Sequence, residues 1–74
     1  MRTVKVSKIL RDLKKDGWLL VRQRGSHRQF HHPVKKGTVT VNGGENDVVW
    51  GNLLKSIENQ SGWCFDTAPP FNLS

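Results

Sequence analysis

The chain has 74 residues, enough for one small domain and too few for two, near the size at which a single core must stabilise itself without staples. Its one cysteine, Cys64, excludes an internal disulfide framework and points to a reducing compartment; with no Cys-x-x-Cys and with its histidines bunched at 27, 31 and 32, it lacks a zinc-binding pattern, and no metal or other cofactor is expected. Net charge is +6 and unevenly spread: residues 1–36 carry eleven Lys/Arg against Asp12 and Asp16, a balance of +9, whereas residues 37–74 carry Lys55 against four carboxylates, a balance of −3. A basic half attracts polyanions, so nucleic acid or an acidic protein is the expected partner. The sequence has neither a long apolar run nor a signal-peptide pattern, so the expectation is a soluble cytoplasmic domain with no membrane contact.

From Val6 the apolar residues Val6, Ile9, Leu10 and Leu13 follow the spacing of one helix face, with Lys8, Arg11, Lys14 and Lys15 on the other. Asp16-Gly17 stops this helix. Three runs with strand chemistry follow, Trp18 to Gln23, His27 to His32 and Thr38 to Asn42, separated by the glycine turn Arg24-Gly25-Ser26 and by a loop from Pro33 to Gly37. Thr38-Val39-Thr40-Val41 alternates polar and β-branched apolar residues, which predicts a sheet covered on one face only. After the turn-rich stretch Asn42 to Asp47, a helical period returns at Trp50, Leu53, Leu54 and Ile57, with Asn46 or Asp47 as the expected N-cap region and Trp18 and Trp50 expected in the core. The order helix, three-stranded antiparallel meander, helix predicts an α+β fold, a two-layer α-β-β-β-α sandwich with both helices on one sheet face. Residues 1–63 are expected to form the domain and residues 64–74, with Pro69-Pro70, an irregular C-terminal tail.

The chemistry concentrates in Arg24-Gly25-Ser26-His27-Arg28-Gln29-Phe30. An imidazole titrates near neutrality and can take and give a proton, while a guanidinium offers a planar fork of donors matched to phosphate oxygens. Alternation places His27, Gln29 and His31 on one face of the middle strand and Ser26, Arg28 and Phe30 on the other, with Phe30 directed to the core. Arg22 and Arg24 approach from the neighbouring strand and turn; which of the guanidiniums converge on His27 is open at this level. His31 is a poor second imidazole for one phosphate, because four residues along a strand separate Cα atoms by about 13 Å at 3.3 Å per residue. His32 falls on the opposite face and precedes Pro33, which reads as a strand-end residue. On residue chemistry alone, a lone histidine in a basic strand is more often a solvated surface residue than a catalytic one.

The ordered set Lys14-Lys15-Asp16-Gly17-Trp18, Val21 to Phe30, His32-Pro33, Gly37-Thr38-Val39-Thr40-Val41 and Ser56-Ile57 resembles the HicA family of toxins of bacterial toxin–antitoxin systems over roughly residues 5–63. The resemblance implies a fold similar to the double-stranded RNA-binding domain and a metal-independent endonuclease acting on mRNA, an mRNA interferase that arrests growth. It also implies neutralisation by a HicB-type antitoxin, in a complex that can reach higher order. The family's essential histidine corresponds to His27, which would act as general base on the 2′-hydroxyl, with Arg22, Arg24, Arg28, Ser26 and Gln29 as candidate RNA and phosphate contacts. The sequence departs from the family at Trp50-Gly51-Asn52-Leu53, where a Pro-x-Thr-Leu type pattern usually opens the second helix, and at Glu58, where an apolar residue usually follows Ser-Ile. Two other readings fit the same composition: a module that binds RNA without cutting it, and an interaction protein whose basic half docks on an acidic partner.

Overall fold

The computed structural model describes residues 3–65. In chain order they form β1 (Thr3–Lys5), α1 (Val6–Asp16), β2 (Leu19–Arg24), β3 (His27–His31), β4 (Val39–Val41), β5 (Val48–Trp50) and α2 (Gly51–Ser61). The α-β-β-β-α order expected from periodicity is present as α1, β2, β3, β4 and α2, and β2-β3-β4 is an antiparallel meander with β3 in the middle. The fold is α+β. Beside the meander, β1 and β5 form a second, two-stranded antiparallel sheet in which Val4 lies opposite Val49.

Helix α1 forms where the apolar stripe requires it: Val6, Ile9 and Leu13 are buried and Leu10 packs half-buried against them. Its first turn has no side-chain cap. Instead, the backbone carbonyls of Asp47 and Glu45 accept the N–H groups of Val6 and Ser7 at 2.9 and 3.2 Å, so the turn-rich loop closes the helix start. Gly17 ends the helix at φ 100°, and a Cβ there would lie 3.0 Å from His32 Nε2, so both the backbone and the neighbour call for glycine.

Helix α2 begins later than the expected N-cap region at Asn46 or Asp47. The β-branched Val48 and Val49 extend along β1 instead of coiling, and the chain turns into the helix at Gly51, whose φ of 63° glycine accepts without strain. This shift also corrects the expectation for Trp50. In β5 it alternates with the buried Val49 and therefore faces the other way, 53% exposed. The buried face of α2 is Leu54, Ile57 and Ser61, which leaves Leu53 outside as well. Trp18, by contrast, is buried as expected.

One hydrophobic cluster joins both helices to the inner face of the meander (Phe30, Val39, Val41), to the β1–β5 pair (Val4, Val49) and to Phe65. Phe65 is fully buried although it lies beyond the last helical period, and its backbone N–H is accepted by Glu58 Oε2 at 2.9 Å. The unusual carboxylate at position 58 thus pins the chain as it leaves α2. Of the tail expected over residues 64–74, Cys64 and Phe65 are described; the remainder lies outside the described residues.

Candidate functional site

The open face of the meander is set by register. Opposed residues in a ladder share a face, so the pairs Arg24–His27, Arg22–Gln29 and Gln29–Thr40 place these five side chains on one side, while Phe30–Val39 and Arg28–Val41 lie on the helix-covered side. A register shift between Leu20 and Arg22 makes Val21 a β-bulge. Without that extra residue, strict alternation from Leu20, which pairs with the core residue Phe30, would put Arg22 on the covered face. The bulge turns it out beside Gln29.

The result is a groove of about 360 Å³ lined by Arg22, Arg24, His27, Gln29 and Thr40. His27 stands exposed at the end of β3, next to the two-residue turn Gly25-Ser26, and the groove holds two guanidiniums, one imidazole, one amide and one hydroxyl. Among the described residues, no group of three His, Cys, Asp or Glu side chains is placed to hold a metal ion. The chemistry on offer is proton transfer at an imidazole beside donors suited to a phosphate.

Two residues expected near His27 do not line this groove. Arg28 lies on the covered side of the middle strand and donates from Nη1 to the carbonyl of Gly43 at 2.8 Å, tying β3 to the loop after β4. Ser26 sits in the turn, where its carbonyl lies 3.5 Å from the same Arg28 nitrogen. Thr40 is the groove residue not singled out from the sequence. The alternation of Thr38-Val39-Thr40-Val41 already puts both threonines on the open face; what it lacks is the register that brings Thr40 opposite Gln29.

Strands β3 and β4 are joined by the Pro33–Gly37 loop, which His32 fastens. The His32 Nδ1 accepts the backbone N–H groups of Val34 and Lys35, both at 3.0 Å, which leaves Nε2 as the protonated nitrogen donating to the carbonyl of Asp16 at 2.7 Å. The Trp18 and His32 rings meet edge to face with centroids 5.2 Å apart. Lys35 pairs with the Asp16 carboxylate and also donates to the carbonyl of Ser61 at 3.2 Å, linking the loop to the end of α2. The ammonium of Lys35, helped by the indole N–H of Trp18, holds the Asp16 carboxyl below its ordinary value against the opposing effect of desolvation. His32 is therefore a structural residue, and His31 lies apart from the groove, with its Nε2 3.1 Å from Thr38 Oγ1.

Fold and groove together define a small basic α+β domain that presents proton-transfer and phosphate-matching groups on an uncovered sheet face. The family follows from the sequence: the family model described as HicA toxin of bacterial toxin-antitoxin systems matches residues 6–63, and the chain belongs to that family. The match runs from the first residue of α1 past the end of α2 and contains every groove residue. A search of the curated proteins finds no match.

Proposed function

We propose that the protein is the toxin of a toxin–antitoxin pair and acts as an endoribonuclease on mRNA, with His27 as the general base. The observation that carries this reading is the convergence of His27 with Arg22, Arg24, Gln29 and Thr40 in one groove, in a chain of the HicA family. In the proposed step His27 accepts the proton of the 2′-hydroxyl, and the 2′-oxygen bonds to the adjacent phosphorus. The bond to the 5′-oxygen then breaks, giving a 2′,3′-cyclic phosphate and a 5′-hydroxyl end once the leaving oxygen has taken a proton from solvent or from the imidazolium. Arg22 and Arg24 offset the negative charge that grows on the equatorial oxygens, and Gln29 and Thr40 orient the ribose and phosphate from the groove floor. A positioned base contributes about 10² to 10⁴ in rate.

A HicB-type antitoxin with an acidic surface is the proposed partner; by covering the groove it would exclude RNA, and salt would weaken the contact. Inducible expression tests the reading. Wild type should arrest growth and yield RNA fragments with cyclic phosphate ends, whereas His27→Ala should do neither while staying folded and retaining RNA. Equal fragmentation by the two proteins would refute the assignment. Retention of RNA by a wild type that never cuts it would favour the non-catalytic binding module.

A further inference from the structure

The open sheet face continues beyond the groove. Its side chains fall into three rows across the strands: Arg24 with His27, Arg22 with Gln29 and Thr40, and then Leu19 with His31. Thr38, two residues before Thr40 and hydrogen-bonded to His31 at 3.1 Å, completes the third row. The first two rows carry the cationic groove. The third differs in chemistry, for it presents an exposed imidazole beside Leu19, which is 61% exposed, and it borders a hollow of about 480 Å³ lined by His31, Val34, Lys36 and Thr38.

We propose that the third row is a nucleobase subsite, with the His31 ring as its platform, for a nucleotide neighbouring the one held at His27. The inference rests on the RNA-cleaving reading above and extends it to the footprint of the substrate. His31 lies about 13 Å along the strand from His27, too far to share its phosphate and suitably placed for a base further along the same RNA strand. Single-stranded RNA is held on open sheets by bases that stack on aromatic rings, imidazole included, with cations on the backbone between them. Here the hydrogen bond to Thr38 holds the ring beside the start of β4, Leu19 lies opposite it across the strands as an exposed apolar side chain, and the exposed Lys36 lines the hollow as a cation for a phosphate.

The test uses the full chain and a 2′-O-methyl oligoribonucleotide of about twelve nucleotides, within the usual span of such sites and unable to be cleaved. Affinity is read by fluorescence anisotropy over a salt series for wild type, His31→Ala, His31→Phe and Lys36→Ala, each checked for fold by circular dichroism. The expected result is a loss of about tenfold for His31→Ala with no change in salt slope, recovery in His31→Phe, and a slope lower by about one for Lys36→Ala. Oligonucleotides with a single abasic position complete the cycle: the position that weakens wild type should cost nothing further in His31→Ala. Wild-type affinity in His31→Ala, a loss in His31→Phe as large as in His31→Ala, or an abasic effect that persists in His31→Ala overturns the subsite while leaving the RNA reading standing. Failure of the wild type itself to bind the oligonucleotide overturns both.

Discussion

Replacing His32 by alanine should destabilise the domain severely while leaving the groove residues in place on the molecules that remain folded. The substitution removes the donor to Asp16, the acceptor shared by Val34 and Lys35, and the edge contact with Trp18. Two partly buried hydrogen bonds at about 1 kcal/mol each, an exposed one from Val34 that adds less because its N–H can turn to water, and an aromatic pair at about 1 kcal/mol give a loss of ~2–4 kcal/mol. A chain of this length has ~4–11 kcal/mol of stability in total. The midpoint of thermal unfolding should therefore fall by roughly 10–25 °C. Urea and thermal unfolding followed by circular dichroism measure it, with His31→Ala as the control, since that exposed ring should change stability by no more than ~0.5 kcal/mol. A loss under ~1 kcal/mol for His32→Ala, or one equal to the control, would refute the reasoning that His32 fastens the β3–β4 loop.

Three further outcomes follow from the same contacts. The Asp16 carboxyl is held below its ordinary value of 3.8, so the unfolded chain binds the proton more readily; the stability it contributes is complete above that value and is lost as pH falls through the depressed folded value. Urea midpoints should fall over that acid range for wild type and fall less for Asp16→Asn. Phe65→Ala should cost ~3–5 kcal/mol, a large share of the ~4–11 kcal/mol available, and a denaturation curve as steep and as late as wild type would show that Phe65 is dispensable to the core. Arg22→Ala and Arg24→Ala should each slow RNA cleavage at least tenfold, by removing charge-assisted contacts worth ~1.5–3 kcal/mol, whereas Arg28→Ala should act on stability through Gly43 and leave the cleavage rate of the folded protein within about threefold.

Much of this architecture was legible in the sequence because two periods dominate it. The 3.6-residue stripe of Val6, Ile9 and Leu13 and the alternation of Val39 and Val41 state which faces are buried, and both are buried as written. What the pattern could not show was pairing at a distance. β1 and β5 are three residues each, too short for a period to declare itself, and only their pairing explains why Val48 and Val49 extend and why Trp50 turns outward. The site was legible as a list of residue types around His27. It was not legible as a groove, because its convergence depends on one inserted residue, Val21, which turns Arg22 out beside Gln29, and on the long-range pairing that sets Thr40 opposite Gln29. Plain alternation also placed Arg28 on the covered face, and the structure shows what holds it there: the carbonyl of Gly43.

In the proposed reaction a single imidazole at the end of β3, His27, takes the proton that starts RNA cleavage. Single-turnover cleavage of a defined mRNA fragment by purified wild type and His27→Ala, at protein concentrations that saturate binding of both, measures that step alone. If His27 is that base, the rate should be at least about 10²-fold lower for His27→Ala with RNA retention within about threefold of wild type. Rates within about threefold of each other would contradict it and leave the groove a binding surface.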